Sequence, residues 1–216
     1  MNTFSIIKGI AAPLPLSNLD TDQIMPKQFL RIIDKAGLDQ GLLYDLRFDE
    51  AGSPRDDFVL NQPAYANTSI LVAGPNFGCG SSREHAVWGL QQYGIRAVIA
   101  PSFGEIFFFN ALNNGLLLVA LPAHQVDALL QCVAQSVGRE IEIDVMAGQV
   151  RAAESWQATF ELSARHRQMF AQGQDMVGAS LQQLDEIAQY EARHWARYPW
   201  MKDVAQRVRA RLDATT

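Results

Sequence analysis

The chain has 216 residues, of which 48% are hydrophobic and 19% are charged, and its formal net charge is −5. A chain of this length and composition can bury one substantial core, which excludes an intrinsically disordered protein. The acidic balance argues against a nucleic-acid-binding protein, because such proteins usually present a basic surface.

The cysteines and the apolar segments indicate the cellular environment in which we expect the protein to work. Cys79 and Cys132 form no CxxC pattern, so they cannot supply the three or four ligands of a zinc or iron–sulfur site. They also make no disulfide framework, and we expect a reducing, cytoplasmic environment. No signal peptide and no apolar run of membrane-spanning length is visible, so we expect no membrane partner.

The first part of the chain differs from the middle in composition. Before residue 69 it is rich in turn-forming residues, among them Pro13, Pro15, Pro26 and Pro54, and we expect loops with short strands there. Further on, apolar runs predict strands at residues 69–73, 96–100 and 116–121, and helical spacing predicts helices at 83–93, 103–112 and 124–135. Strands that alternate with helices predict an α/β core with largely parallel pairing.

A change of pattern follows residue 138. Alternating residues predict strands at 141–145 and 159–162, with a turn at 146–149 between them. Helices are predicted at 164–172 and 181–197, the latter ended by the following Pro199. We therefore expect one α/β domain over residues 1–216, with a core over about 1–138 and a strand-and-helix extension over about 139–216.

A glycine-rich loop between the predicted strand 69–73 and the predicted helix 83–93 carries the strongest functional signal. Gly78 and Gly80 permit backbone conformations closed to other residues, and Ser81, Ser82 and Arg83 follow at a helix N-terminus, where anions are favoured. Residues 81–84 also fit a capping box, and the two interpretations are compatible. The spacing matches neither a phosphate-binding P-loop nor a nucleophile elbow.

These residues give the chain a resemblance to the small subunits of 3-isopropylmalate dehydratases, in the aconitase superfamily. The resemblance extends over nearly the whole chain, and its core is the run Gly-x-Gly-Ser-Ser-Arg-Glu-His at residues 78–85. Further matching segments lie at residues 18–30, 58–61, 101–107 and 114–117. The resemblance implies a swivelling β/β/α domain of the aconitase C-terminal type with a helical C-terminal extension.

The resemblance also implies a partner and a reaction. The family's small subunit holds no cofactor and docks on a large subunit that carries a 4Fe–4S cluster. Together they isomerise 2-isopropylmalate to 3-isopropylmalate through isopropylmaleate in leucine biosynthesis. Removing a proton beside a carboxylate needs a base, and the leaving hydroxide needs a Lewis acid.

The resemblance implies a role for each residue that matches a functional position of the family's motifs. Ser81 matches the superfamily's serine alkoxide base, with Gly80 and Ser82 beside it as supporting and substrate-binding residues, and Arg83 matches the residue that holds a substrate carboxylate. A solvated arginine in the first helical turn is the alternative for Arg83.

Residues near the N-terminus complete the expected site. The resemblance implies that Arg31 meets a second carboxylate and that Leu30 lies near the substrate's alkyl group, whereas Arg31 as a surface loop arginine is the alternative. Asp20 and Asp22 match an Asp-Thr-Asp signature and are expected to organise the active-site loop, the alternative being ordinary turn aspartates.

Several alternatives stay open on the sequence. The small subunit of a related hydratase, acting on another substituted malate such as methylmalate with citraconate, or dimethylmalate, is the first. A non-catalytic dicarboxylate-binding protein is a second alternative. A cysteine hydrolase built on Cys79 is a distant third, because a small residue that packs in a tight loop explains Cys79 more simply.

Overall fold

The computed structural model describes residues 5–31, 36–152 and 156–214. Contacts divide the chain into two compact units, Met1–Asp175 and Met176–Thr216. Strands of the first unit are β1 (Ile6–Leu14), β2 (Thr68–Ala73), β3 (Ala97–Ala100), β4 (Leu117–Ala120), β5 (Glu140–Asp144), β6 (Gln149–Ala152) and β7 (Trp156–Thr159). Among the described residues they form one sheet in the order β4-β3-β2-β1-β5-β6-β7.

The sheet has a parallel half and an antiparallel half. β1 to β4 pair in parallel with one another, whereas β1 pairs with β5, β5 with β6 and β6 with β7 in antiparallel fashion. The parallel pairing expected for the α/β core is therefore confirmed for β2, β3 and β4, and the strands after residue 138, for which no pairing was predicted, are antiparallel. Close spacing in sequence favours antiparallel pairing of β5, β6 and β7, because only residues 145–148 and 153–155 separate these strands and a parallel connection needs a much longer crossover.

β1 is longer and more central than the expected short strands of the N-terminal part. Its first half pairs with β5 at Ile6–Ile10, and its second half pairs with β2 at Ile10–Leu14. Gly9 and Pro13 lie inside the strand, and these residue types weaken a strand signal in sequence. The expectation that this part has only short strands is therefore wrong. Pairing with a neighbour on each side stabilises β1 although its composition does not favour a strand.

The strands predicted at 69–73, 96–100 and 116–121 are confirmed as β2, β3 and β4. All residues of β3 and nearly all of β2 and β4 are buried. Burial on both faces explains their continuous apolar composition, which is typical of parallel strands covered by helices. The alternation in β5 instead reflects one buried face, which carries Ile141 and Ile143.

The strand predicted at 159–162 is misplaced, and β6 was not predicted. Trp156–Thr159 forms β7, which pairs with β6 through Val150 and Ala158. Phe160 adds one hydrogen bond, from its N–H to the carbonyl oxygen of Gly148 at 2.8 Å. Gly148 has a φ of +65° and turns the chain, so no partner strand continues beyond that point.

Helices cover both faces of the parallel strands. In the first unit they are α1 (Thr21–Ile24), α2 (Tyr44–Arg47), α3 (Glu84–Tyr93), α4 (Glu105–Asn114), α5 (Ala123–Gln135) and α6 (Ala164–Gln172). α3 and α4 pack with Leu71, Val98 and Leu118 in the main core, and α5 contacts β1, β2 and β3. The helices predicted at 83–93, 103–112, 124–135 and 164–172 are confirmed to within two residues.

The second unit is helical. It contains α7 (Met176–Leu181), α8 (Leu184–Arg197), a 3₁₀ turn at Pro199–Met201 and α9 (Val204–Asp213). The predicted helix 181–197 corresponds to α8, which ends before Pro199 because the residue preceding a proline is biased away from helical backbone. Over the part of the chain that is described, no helix has the length and apolar character needed to cross a membrane.

Candidate active site

Three of the segments that carry the family resemblance meet at one edge of the sheet. β1, β2 and β3 are parallel, so the segments that follow them leave from the same edge. Residues 15–22 follow β1, residues 74–83 follow β2, and residues 101–104 follow β3. Ligands of open α/β sheets bind at this carboxyl edge. We call residues 74–83 the serine loop.

One side of the serine loop is held by the segment that leads into α1. The backbone N–H of Gly78 donates to the carbonyl oxygen of Leu19 at 2.7 Å. The N–H of Thr21 donates to the carbonyl oxygen of Cys79 at 2.9 Å. The Thr21 hydroxyl donates to the carbonyl oxygen of Ser81 at 2.9 Å. The serine loop is therefore fixed along its length before it reaches Ser81.

The opposite side of the loop rests on the segment after β3. The N–H of Asn76 donates to Ser102 Oγ at 2.9 Å, and the N–H of Gly104 donates to the carbonyl oxygen of Phe77 at 2.9 Å. A Cβ atom on Gly104 would lie 2.5 Å from the carbonyl oxygen of Gly78. These contacts need a glycine at position 104, because the two backbones approach too closely for any side chain.

Both the backbone conformation and the close packing at position 78 require glycine. Its φ of +73° lies in the left-handed region, and a Cβ atom there would lie 2.3 Å from Cγ of Phe107. The Phe107 ring is buried and packs edge-on against Phe77, with 5.5 Å between ring centroids. The loop thus reaches its position by packing directly on the aromatic core. Gly80, with a φ of +91°, turns the chain immediately before Ser81.

Ser81 and Ser82 are both exposed and precede α3. The capping box expected at residues 81–84 is not formed, because α3 begins at Glu84 with Arg83 as its N-cap and no side chain caps it. The Glu84 carboxylate instead accepts a hydrogen bond from Asn114 Nδ2 at 2.6 Å. Both serine side chains are consequently not committed to capping the helix.

A capping box does exist at α1. The N–H of Gln23 donates to Asp20 Oδ1 at 2.8 Å, and the N–H of Asp20 donates to Gln23 Oε1 at 3.1 Å. Asp20 therefore fixes the start of α1, which in turn contacts the serine loop. Asp22, two residues on, faces Arg83.

Arg83 pairs with Asp22 through Nη1 and Oδ1. The Arg83 side chain is only 15% exposed, so it is not the solvated arginine considered as an alternative. Its hydrogen bond, together with the positive charge, lowers the pKa of the Asp22 carboxyl below its usual value. A guanidinium carries five N–H donors, so one contact with Asp22 does not use its whole donor capacity.

Leu30 and Arg31 belong to a 3₁₀ turn at Lys27–Arg31. Leu30 is half-buried and packs against the core. The side chain of Arg31 lies outside the described part of the chain, so its expected contact with substrate stays a prediction. The structure therefore brings together Asp20, Asp22, Gly80, Ser81, Ser82 and Arg83.

Cys79 is half-buried in the serine loop, and its backbone forms a bridge with Asp20. Its carbonyl oxygen also accepts a hydrogen bond from the N–H of Thr21. His85 lies in α3 beside Trp88, with 4.8 Å between ring centroids. Within the described ranges, no group of three or more His, Cys, Asp or Glu residues is arranged to hold a metal ion.

Sequence reasoning missed Thr21 and Ser102. Both contact the serine loop through hydroxyl groups. Thr21 lies between Asp20 and Asp22, so the same motif that drew attention to the aspartates contained it. Its importance becomes evident only in the folded protein, where Thr21 is 1% exposed and its hydroxyl donates to the Ser81 carbonyl oxygen.

Comparisons with known proteins agree with this geometry. The family model of the aconitase C-terminal domain matches residues 1–124, and that of the C-terminal domain of the 3-isopropylmalate dehydratase small subunit matches residues 176–204. A 3-isopropylmalate dehydratase small subunit 1 of Chromobacterium violaceum is 61% identical over 212 residues, which are 98% of this chain and 100% of the relative. A small subunit of Rhodospirillum centenum is 45% identical over 93% of this chain and 98% of its own length.

A solved structure shows the same fold. The crystal structure of 3-isopropylmalate dehydratase from Methanocaldococcus jannaschii superposes with a TM-score of 0.61 at 30% identity, covering 86% of this chain and 99% of that one. The sequence match, the mixed sheet and the serine loop at its carboxyl edge all lead to one assignment. The chain belongs to the family of 3-isopropylmalate dehydratase small subunits, within the aconitase superfamily.

Proposed function

We propose that this chain is one component of a heteromeric hydro-lyase that interconverts 2-isopropylmalate and 3-isopropylmalate through isopropylmaleate, a step of leucine biosynthesis in the cytoplasm. The observation that carries the proposal is the exposed Ser81–Ser82 pair beside the Arg83 cation at the carboxyl edge of β1 to β3. The names of the relatives support the reaction.

Ser81 is the base in this proposal. It takes the proton from the carbon that carries a carboxylate, a carbon–carbon double bond forms, and the hydroxyl of the neighbouring carbon leaves. A serine oxygen can act in this way only where N–H donors and a positive charge favour its ionised form. The backbone at Gly80 and Ser82 and the nearby Arg83 supply such groups.

Arg83 binds a substrate carboxylate. Its planar guanidinium can donate two parallel hydrogen bonds to the two oxygens of a carboxylate, which lysine cannot do. Asp22 holds one end of the guanidinium and thereby restricts its rotation. We further propose that Arg31 meets the second carboxylate and that Leu30 lies near the alkyl group.

The Lewis acid comes from a large subunit. Because the described residues offer no group of metal ligands, we propose that the partner brings the 4Fe–4S cluster and that the subunits meet over the serine loop. When bound, the cluster supplies the Lewis acid for the departing hydroxide. The residues of this chain supply the base and the carboxylate contacts.

The test is anaerobic co-expression with the candidate large subunit, followed by measurement of 2-isopropylmalate dehydration at the absorbance of the unsaturated product. Each of the two proteins alone and a pair carrying Ser81→Ala serve as controls. We expect turnover only in the unmodified pair. Turnover of methylmalate or dimethylmalate in its place would change the substrate assignment, and tight dicarboxylate binding by the small chain alone without turnover in the pair would favour a binding protein.

A further inference from the structure

The segment from Leu19 to Asp22 runs alongside the serine loop and contacts it repeatedly. Leu19 accepts from the N–H of Gly78, the backbones of Asp20 and Cys79 form a parallel bridge, and Thr21 reaches both Cys79 and Ser81. Thr21 thus forms a direct hydrogen bond with the serine that we propose as the base.

Thr21 is buried, and both of its donors are used on the serine loop. The residue is 1% exposed. Its N–H donates to the carbonyl oxygen of Cys79 and its hydroxyl donates to the carbonyl oxygen of Ser81, each at 2.9 Å. Burying a hydroxyl costs free energy of folding unless the hydroxyl forms a hydrogen bond. The Ser81 backbone therefore has a fixed anchor although the Ser81 residue is exposed.

The position of the Ser81 carbonyl oxygen determines two further groups. It sets the plane of the peptide between Ser81 and Ser82, and hence the direction of the Ser82 N–H. It also limits rotation about the Ser81 backbone, on which the direction of the side chain depends. Small displacements of a reacting group lower the rate strongly.

We propose that Thr21 is a positioning residue for Ser81, acting through the hydrogen bond from its hydroxyl to the Ser81 carbonyl oxygen. The kinetic part of this proposal rests on the proposed function, in which Ser81 is the base. The structural part, that the Thr21 hydroxyl holds the serine loop in place, does not depend on the reaction.

Thr21 and its neighbour Asp22 have separable effects. Thr21 acts on the group that removes the proton, so its loss should lower kcat. Asp22 acts on Arg83, which binds a carboxylate in substrate and transition state alike, so its loss should mainly raise KM. A merely structural role for Thr21 would not produce this division between two adjacent residues.

The experiment compares Thr21→Val, which keeps the shape and removes the hydroxyl, with Thr21→Ser, which keeps the hydroxyl. Thr68→Val is the matched control, because Thr68 is 2% exposed and its hydroxyl donates to the carbonyl oxygen of Tyr65 at 2.8 Å, outside the site. Thr21→Ala replaces Thr21→Val if the latter does not fold.

The first readout is steady-state kinetics of the reconstituted pair. We expect Thr21→Val to lower kcat about tenfold or more with KM changed by less than about threefold. Thr21→Ser should stay within about threefold of the unmodified kcat, and Thr68→Val should leave kcat unchanged although it loses a comparable hydrogen bond.

The second readout is the rate at which iodoacetamide labels Cys79 in the full chain, with Cys132 in α5 as the internal reference. Thr21→Val should raise the labelling of Cys79 several-fold and leave that of Cys132 unchanged, whereas Thr21→Ser and Thr68→Val should change neither. Equal Cys79 labelling in Thr21→Val and the unmodified chain would overturn the proposal. An equal loss of kcat in Thr21→Ser and Thr21→Val would also overturn it.

The two readouts separate this proposal from the proposed function. If the reconstituted pair turns over no alkylmalate, the proposed function fails and Cys79 labelling alone decides whether Thr21 holds the serine loop. If the pair is active and Thr21→Val changes Cys79 labelling but not kcat, the positioning of Ser81 is wrong while the proposed function stands.

Discussion

Arg83 and Asp22 form an ion pair across a separation of 61 residues in the chain. Arg83 precedes α3 directly, and Asp22 lies in α1. The pair therefore joins the segment after β1 to the segment after β2, next to the exposed Ser81 and Ser82. It binds the guanidinium at one nitrogen, which orients the group that we propose for a substrate carboxylate.

Replacing Asp22 should make stability less dependent on pH. The hydrogen bond and charge of Arg83 lower the Asp22 pKa in the folded state. Its contribution to folding is therefore present above the ordinary carboxyl pKa of about 3.9 and is lost as the pH falls through the lowered value. Urea unfolding of the unmodified protein and Asp22→Asn should differ most near neutral pH, and the difference should shrink below about pH 4.

The effect at Asp22 should also depend on salt, because its side chain is 40% exposed and exposed ion pairs are screened. Unfolding measured at low and at high salt provides that control. A stability difference between the two proteins that is the same at every pH would contradict the role of the ion pair.

Arg83→Lys tests the carboxylate contact. Lysine keeps the positive charge but cannot form two parallel hydrogen bonds to a carboxylate, so we expect kcat/KM of the reconstituted enzyme to fall about a hundredfold. Arg165→Lys, at an exposed arginine of α6, is the matched control and should leave kcat/KM unchanged. Near-normal kinetics in Arg83→Lys would exclude Arg83 as the carboxylate ligand.

Ser81→Ala tests the base. Ser81 is exposed, and its side chain does not cap α3, so its removal should change the free energy of unfolding by less than about 0.5 kcal/mol. The dehydration kcat should fall at least about a hundredfold, since a positioned base contributes roughly that much. Ser82→Ala provides the comparison at the adjacent hydroxyl. If Ser81→Ala retains most of the turnover with an intact complex, the proton is taken by another group.

Gly78→Ala should destabilise the fold through two effects. The substitution places a Cβ atom against the buried Phe107 ring and requires alanine at a φ of +73°. We expect a loss of about 2–4 kcal/mol in the free energy of unfolding, measured with denaturant.

Gly37→Ala isolates the backbone effect. Gly37 has a φ of +77°, and a Cβ atom there would have no neighbour within 4 Å. Its substitution should cost only about 1–2 kcal/mol. Equal losses at the two glycines would show that contact with Phe107 contributes nothing to the requirement for glycine at position 78.

The three consecutive phenylalanines of α4 should divide between the core and the partner. Phe107 is 2% exposed and Phe109 is 50% exposed. α4 begins after Gly104, which packs on Gly78, so its first turns lie beside the serine loop, where we propose that the large subunit docks. Phe109→Ala should weaken binding of the large subunit about tenfold with little change in stability, whereas Phe107→Ala should cost about 3–5 kcal/mol of folding.

Val137→Ala is the control for Phe109. Val137 is 62% exposed and follows α5, whose end lies at the opposite edge of the parallel strands because α5 runs back after β4. Its substitution should leave binding of the large subunit unchanged. Binding by Phe109→Ala as tight as that of the unmodified chain would place the interface elsewhere.

Local composition was sufficient for much of the fold. Continuous apolar runs predicted β2, β3 and β4, because burial on both faces excludes polar residues from a strand whatever its neighbours are. Helical spacing predicted α3, α4, α5 and α6 for the same reason, since one face of each meets the core. The serine loop was recognised because glycines beside hydroxyl and guanidinium groups suit an anion site.

Contacts between distant segments were not visible in the sequence. β1 contains Gly9 and Pro13, and it is a strand because β2 and β5 pair with it on two sides. The alternation continues through residues 160–162, yet β7 ends at Thr159 because the neighbouring segment turns at Gly148, just before β6 begins. The expected capping box at residues 81–84 failed because α3 begins only at Glu84.

The family, the α/β core and the residue types of the candidate site could all be read from the chain of residues, because these depend on composition and on short motifs. That Thr21 holds Ser81 and that Asp22 holds Arg83 became evident only in the folded molecule. The order of strands in the sheet brings the ends of β1 and β2 together, so residues about sixty positions apart become neighbours. The hydrophobic periodicity of a sequence reflects which residues are buried. Hydrogen-bond partners depend instead on which segments lie side by side in the folded protein.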